Sequence, residues 1–331
     1  MEKVRFAILG CGGISRVHAE AINMTADAVL VACYDISEKR TAEFAGEFGI
    51  YACHDRDEFF DLDTDVIAVC TPSACHSSDA VEALTHGKNV ILEKPMSLTS
   101  AEADTVIGAA EKNGKHVSVI SQTRYADDIQ KAKRIISGGE LGKINSVNLF
   151  MRCWRDTEYF SGSEWRGRKS MEGGGALMNQ GIHGVSLLRF LTGEPEVISA
   201  SAATMTHPIE TEDSICALLR YENGAHGVIE ASTCSWPGFC RRIEIYGDGG
   251  YLEITEDRIT RLRTRTTDYT ISAAEVPVYR GYPGKIDPTL HARQIAELVY
   301  ILRHGGKLLM DGYEGRADIE LIGKIYKAAG I

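Results

Sequence analysis

Val4-Arg5-Phe6-Ala7-Ile8-Leu9-Gly10-Cys11-Gly12-Gly13-Ile14-Ser15 joins an apolar run to a glycine-rich turn and then to the start of a helical pattern. That context gives the glycines a physical meaning. Gly10 permits a tight turn, and Gly12 removes the side chain that would block a pyrophosphate. The amides of Gly13 and Ile14, at a helix N-terminus, meet the phosphate charge, and the small Ser15 takes the third glycine position. This stretch therefore predicts a dinucleotide site between a first strand and a first helix.

Outward from it, Ala28 to Tyr34, Val66 to Cys70, Asn89 to Leu92 and His116 to Ile120 read as further strands. Arg16 to Asn23, Ser37 to Phe48, Ser77 to His86 and Ser100 to Asn113 carry apolar positions at helical spacing, and Gly49, Gly87 and Gly114 end three of them. The alternation predicts a parallel sheet, an α/β Rossmann domain over residues 1-122. Asp35 ends the second strand, where a carboxylate can bind both hydroxyls of an adenosine ribose and repel a 2′-phosphate, so NAD(H) is the expected cofactor. Lys39 and Arg40 just beyond could reach a phosphate, which leaves NADP(H) open, and capping of the following helix by Asp35 is compatible with either role.

A helix from about Ala126 to Ser137 leads into a different pattern. Ile144 to Cys153, Val197 to Thr206, Ser214 to Tyr221, Ala225 to Thr233, Arg241 to Tyr246 and Gly250 to Ile254 alternate polar and apolar residues, with a hairpin signal at Asn223-Gly224. They predict an α+β domain over residues 123-331, built on a large, mainly antiparallel sheet. Helical spacing returns at Thr289 to Arg303 and Gly315 to Ala329, while Thr260 to Pro283 shows no clear pattern.

The 331 residues carry 25% charged side chains and a net charge of -10. That balance disfavours nucleic acid and anionic membranes, which need a basic surface. No apolar run approaches the roughly 20 residues that span a bilayer, and Met1-Glu2-Lys3 leads directly into the first strand, so a cytoplasmic protein is expected. Nine cysteines, an odd number without a Cys-x-x-Cys pair, predict free thiols. Cys53-His54 and Cys75-His76 have no second pair at zinc-ligand spacing, and no metal is expected.

In an open α/β sheet, ligands bind beyond the carboxyl ends of the strands. Cys70-Thr71-Pro72-Ser73 and Glu93-Lys94-Pro95 occupy two such ends. Lys94 follows an apolar run, so its ammonium is expected to face a nicotinamide, where that positive charge and partial burial would lower its pKa toward proton exchange with an alcohol. Outside this context, a solvated surface lysine is the ordinary reading. Farther along, Gly173-Gly174-Gly175 precedes a helix on which Asn179 and His183, four residues apart, share one face and can address one substrate. A hydrogen-bonded packing histidine is the alternative.

At these residues the chain resembles the Gfo/Idh/MocA family of sugar and cyclitol dehydrogenases. The likeness rests on the glycine-rich start with His18, Thr71-Pro72 followed by His76, Glu93-Lys94-Pro95, and the triple glycine leading to His183. The resemblance implies that Lys94 and His183 are catalytic. It places Gly10, Gly12, Gly13, Ile14, Asp35, Thr71, Pro72, His76, Glu93, Lys94 and Gln122 at the cofactor, and Lys94, Arg124, Trp165, Arg166, Asn179 and His183 at the substrate. It also implies a homodimer or homotetramer formed through the second-domain sheet. Tyr159-Phe160, Trp165-Arg166-Gly167 and Met178-Asn179-Gln180-Gly181 look like the branch acting on sugars or nucleotide-sugar uronates. Two positions depart from the inositol-type pattern: Asn179 and Ser186 stand where aspartate is common, so proton transfer falls to Lys94 or His183. Arg168 and Lys169 add positive charge that could greet a carboxylate or phosphate, a solvated loop being the alternative. The activity implied is hydride transfer between nicotinamide C4 and a secondary alcohol of a sugar, sugar acid, glycoside or cyclitol. Net reduction of an oxo-sugar is the alternative, and a non-catalytic NAD-binding sensor is the rival of another class.

Overall fold

The computed structural model describes residues 2–272, 275, 277–279, 281 and 286–331. The chain divides into two compact units, Met1–Gln122 with Lys285–Ala317, and Thr123–Gly284 with Asp318–Ile331. Neither unit is one continuous stretch, because the first also takes in a segment far down the chain.

In the first unit β1 (Val4–Leu9), α1 (Gly13–Met24), β2 (Ala28–Tyr34), α2 (Glu38–Phe48), β3 (Tyr51–Ala52), α3 (Arg56–Asp61), β4 (Val66–Val69), α4 (His76–Thr85), β5 (Asn89–Leu92), α5 (Ser100–Asn113) and β6 (Val117–Val119) follow in order. The strands lie β3-β2-β1-β4-β5-β6 and pair in parallel. The order reverses at β1, and the crevice of a doubly wound sheet opens there, beyond the strand ends. Burial on both faces explains why β4 and β5 read as continuous apolar runs, every residue of each being buried. Ser37 caps α2 by accepting the Arg40 amide, and Gly49 and Gly114 end α2 and α5 in left-handed conformation.

The helix Thr289–His304 belongs to this unit for a polar reason. Gln294, fully buried, donates to Ser118 Oγ (3.0 Å) and the Val119 carbonyl (2.7 Å) and accepts the Ser121 amide (3.2 Å), closing the edge strand β6. Ile295, Leu298 and Val299 join Ala19 and Ile22 of α1 in the core.

The second unit holds α6 (Asp127–Ser137), β7 (Ile144–Arg152), α7 (Thr157–Ser161), α8 (Lys169–Glu172), α9 (Ile182–Thr192), β8 (Glu196–Ala203), β9 (Ser214–Arg220), β10 (His226–Ser232), β11 (Arg242–Gly247), β12 (Gly250–Thr255), β13 (Arg258–Thr264) and β14 (Asp268–Thr270). Among the described residues these strands form one sheet, β14-β13-β12-β11-β7-β10-β9-β8. Every neighbouring pair is antiparallel except β7 with β10. In β9, Ile215, Ala217 and Leu219 are buried while Cys216, Leu218 and Arg220 are exposed, the alternation of a sheet with one covered face. Gly224, at φ +86°, turns the expected β9–β10 hairpin. β14 and most of β13 fall within the stretch that carried no pattern, and residues 273, 274, 276, 280 and 282–285 of that region and its border lie outside the described residues.

Candidate active site

The glycine-rich turn is shaped by close backbone approach. Gly10 sits at φ +92°, and a Cβ there would lie 2.9 Å from the Cys70 carbonyl carbon and the Thr71 nitrogen, so no side chain fits. Cβ atoms on Gly12 or Gly13 would meet nothing within 4 Å. That open space lies against the start of α1, which has neither a capping side chain nor an acidic residue in its first turn. Its first amides therefore remain available to an anion.

Asp35 stands beside this turn. Its carboxylate accepts the Cys11 amide (2.9 Å), the Ser37 amide (2.9 Å), and Arg40 Nε (3.1 Å) and Nη2 (2.7 Å). Burial works against its charge, but these donors outweigh it and hold Asp35 below the usual carboxylate range. Lys39 instead pairs with Glu43 at 3.9 Å, on the exposed face of α2.

At the next strand ends Thr71 is half-buried and Pro72 exposed. Thr71 Oγ1 donates to Asp79 (2.6 Å), which also receives Arg56 (2.7 Å). His76 is buried between two carbonyls, Nδ1 at 2.6 Å from Pro95 O and Nε2 at 2.8 Å from Thr71 O, so it ties the Thr71 and Lys94-Pro95 turns together. Burial pushes its pKa down. Gln122 follows β6, and its Oε1 is buried without a hydrogen-bond partner among the described residues. The open space at Gly12 and Gly13, the uncapped helix start and this orphaned acceptor fit a dinucleotide lying along the strand ends.

Lys94 is half-buried among buried neighbours, after a β5 that is buried throughout. Its amide donates to Glu93 Oε2 (3.2 Å), and Glu93 Oε1 lies 2.8 Å from His18 Nε2 of α1. Burial opposes charge on both members of the His18–Glu93 pair; against it, the hydrogen bond and charge of His18 push Glu93 down to about 2, while the Cys70 sulfur first and Glu93 after it raise His18. His291 packs edge-on against His18, with ring centroids 5.6 Å apart. Burial and the His18 charge push His291 down to about 4. His18, Glu93 and His291 bring one ligand atom each within 4.8 Å of one another. The 2.8 Å contact is nevertheless a hydrogen bond, since two ligands around a tetrahedral zinc stand roughly 3.3 Å apart at bond lengths near 2.0 Å.

In the second unit the triple glycine is forced by contact. A Cβ on Gly174 would lie 2.1 Å from Tyr326 Oη, and one on Gly175 1.9 Å from the Glu212 carbonyl oxygen. The buried Glu212 carboxylate accepts the amides of Gly175 (2.7 Å) and Leu177 (2.9 Å) and the Tyr326 hydroxyl (2.8 Å), fixing the turn. Ala176–Gly181 then winds as a π-helix before α9, which corrects the single α-helix read through Asn179. From Gly174 to Leu188, Asn179 and His183 are the two residues that are not buried.

Asn179 Nδ2 donates to Glu172 Oε1 and lies 3.5 Å from Tyr159 Oη, which also receives Gln180 Nε2 (3.0 Å). The Arg155 guanidinium sits 5.3 Å from the centroid of the same Tyr159 ring and that of Arg166 at 4.3 Å, with Arg166 also 5.2 Å from Trp165. Trp165, Arg166 and Asn179 are thus brought together through Tyr159. Arg168 and Lys169 are exposed, while Glu172 turns inward and accepts the Gly167 amide (2.6 Å).

Arg124 is placed elsewhere. It is 1% exposed, Nε donating to Ser186 Oγ (2.9 Å) and Nη2 to the Ser186 carbonyl (3.1 Å), with Asp318 at 3.8 Å. It braces α9 from inside, a buried setting different from the substrate contact that the resemblance implies. Sequence reasoning did not select Arg155, Glu172, Glu212 or Tyr326 as site residues. Only the glycine run hinted that something large must lie against Gly174 and Gly175.

The family model described as the oxidoreductase family, NAD-binding Rossmann fold, matches residues 4–121, and that of the GFO/IDH/MocA C-terminal domain matches residues 129–253. A glucose-6-phosphate 3-dehydrogenase from Bacillus subtilis (strain 168) is 28% identical over 262 residues, 73% of this chain and 72% of that protein. An inositol 2-dehydrogenase from Rhizobium meliloti (strain 1021) is 25% identical over 327 residues, 96% of this chain and 94% of that protein. The solved structure of the WlbA dehydrogenase from Bordetella pertussis, in complex with NADH and UDP-GlcNAcA, is similar over 100% of this chain and 98% of that one, with 28% identity and a TM-score of 0.88. Sequence match and site geometry agree: the chain belongs to the Gfo/Idh/MocA oxidoreductases, with NAD as cofactor.

Proposed function

We propose that this oxidoreductase interconverts a secondary alcohol and a ketone on the ring of a sugar, sugar acid, glycoside or cyclitol. The single observation that carries the reading is the opening of Asn179 and His183 alone from an otherwise buried segment, on a unit whose relatives include sugar and inositol dehydrogenases. Bound NAD+ supplies the hydride acceptor. The Lys94 amine takes the hydroxyl proton, His183 holds the same hydroxyl or relays that proton, and Asn179, its amide set by Glu172, fixes a neighbouring hydroxyl. Half-burial limits the contact of both proton-bearing groups with bulk water and strengthens their hydrogen bonds.

Arg155 and Arg166, stacked on Tyr159 beside Asn179, favour a substrate with a carboxylate or phosphate, as in the nucleotide-sugar acid complex of WlbA. Two copies are proposed to pair through the face of the eight-stranded sheet that leaves Leu218 and Ile198 40% and 42% exposed. Nine free thiols suit a reducing cytoplasm. Among the described residues no helix is long and apolar enough to cross a membrane.

The test is NAD+ reduction against sugars, sugar acids, glycosides and inositols, with Lys94→Ala as control. Turnover lost in Lys94→Ala while NADH still binds supports the assignment. Retained turnover overturns it, and NADH binding without turnover on any substrate favours the sensor.

A further inference from the structure

The His18–Glu93 pair is more elaborate than a structural contact requires. Glu93 is 5% exposed and His18 fully buried, and the carboxylate divides its oxygens between two tasks: Oε1 meets His18 Nε2 and Oε2 accepts the amide of Lys94. A carboxylate one residue from a lysine that must lose a proton would ordinarily hold that proton in place, because opposite charges a few ångströms apart favour the ionised lysine. We infer that His18 is a positioning residue that both orients Glu93 beneath Lys94 and neutralises its charge, leaving the Lys94 amine accessible to proton exchange. This rests on the proposed role of Lys94.

The groups facing the pair are consistent with that balance. Cys70, from the end of β4, acts on His18; His291, from the helix Thr289–His304, lies edge-on to His18; Lys94 acts on Glu93; and Asp287 acts on His291. Burial keeps His291 neutral, so it adds no second positive charge, and burial also pushes the Cys70 thiol up, so the charge that faces His18 is that of Glu93 at 2.8 Å. The imidazolium and the carboxylate therefore cancel within the core, and Lys94 experiences a hydrogen-bonded dipole in place of a bare negative charge.

His18→Gln keeps a side-chain N–H that can reach Glu93 but removes the positive charge. In that variant Glu93 is ionised wherever Lys94 deprotonates, so the acid limb of kcat/KM for alcohol oxidation moves up by about one pH unit. Adding Glu93→Gln returns the limb to the parent position, although the amplitude falls, while the NADH Kd of His18→Gln stays within a few-fold of the parent. An unmoved limb in His18→Gln, with turnover lost in Lys94→Ala, overturns this inference and leaves the base assignment standing. Turnover retained in Lys94→Ala overturns the base assignment itself.

Nitrogen NMR of the histidine-labelled parent gives a second reading, independent of whether the variant folds. One of the ten imidazoles remains doubly protonated about two pH units above the ordinary histidine range. Ten neutral rings at that pH overturn the charge balance.

Discussion

Replacing Asp35 with alanine tests the cofactor site where the structure gives the most to calculate. A carboxylate oxygen offers about two acceptor positions; Oδ1 already takes three N–H donors, from Ser37 and twice from Arg40, while Oδ2 takes one, from Cys11. One ribose hydroxyl can therefore bind at Oδ2, and a second binds at Oδ1 only by displacing the guanidinium. Arg40 is 52% exposed at its side chain, so releasing it to water costs no more than about 1 kcal/mol. Each hydrogen bond to a charged acceptor contributes about 1.5–3 kcal/mol, and two of them less the lost ion pair leave about 2–5 kcal/mol. Asp35→Ala is accordingly expected to weaken NADH by a factor of about 30 to a few thousand. It also frees Arg40 for a 2′-phosphate, so NADPH binds more tightly than in the parent. Arg40→Ala removes the competitor, and should leave NADH affinity equal or slightly higher while weakening NADPH. Fluorescence titration with both reduced cofactors measures all three proteins. An NADH Kd for Asp35→Ala within twofold of the parent would refute the ribose assignment.

Three further expectations follow from the second unit. Glu212→Gln sets an amide N–H against one of the three donors that the carboxylate receives, costing about 2–4 kcal/mol and roughly 5–10 °C in Tm, with turnover reduced and NADH affinity unchanged; scanning calorimetry and steady-state kinetics separate these effects. Arg166→Ala should raise KM about tenfold or more for an acidic substrate and little for a neutral one, and an equal effect on both would remove the anion-binding role. Asp213 is fully buried, and although burial resists its charge, the amides of Met205, Thr206 and His207 and the His207 ring hold it below the usual carboxylate range. A depressed folded pKa contributes stability that is complete above about pH 4 and is lost as pH falls through the folded value. The advantage of the parent over Asp213→Asn in chemical denaturation should thus be constant near neutrality and shrink below about pH 4.

Much of the fold was legible because period and punctuation are local. The strands β1, β2 and β5 were readable to the residue, since an apolar run between a turn and a helical pattern fits little besides the strand of a βα unit. Two-residue β3 has too little sequence to show any period, and β13 with β14 lies in a stretch whose arginines and threonines mask the alternation. The assignment of Thr289–His304 to the first unit depended on Gln294 reaching Ser118 across the chain, which no local pattern encodes. Strand-end logic found Lys94, Thr71 and Asp35 because the sheet dictates where such residues gather. The same logic has no purchase on Arg124, which follows β6 as a candidate would and yet ends in the core against Ser186. Glu212 and Tyr326 were invisible for the opposite reason: their importance lies in the carbonyls and amides of distant glycines.

The one parallel pairing in the second sheet, β7 with β10, has a bearing on descent. β7 leaves the middle of that sheet and the chain rejoins it at the far edge as β8, so residues 156–195 form an excursion that contributes no strand to the sheet. Tyr159, Trp165, Arg166, Asn179 and His183 all lie within it. An insertion or exchange there leaves strand register intact, and the excursion can behave as a cassette. Lineages sharing this scaffold can then diverge in the molecule they recognise by rewriting one contiguous stretch of gene, while the nucleotide half is inherited unchanged.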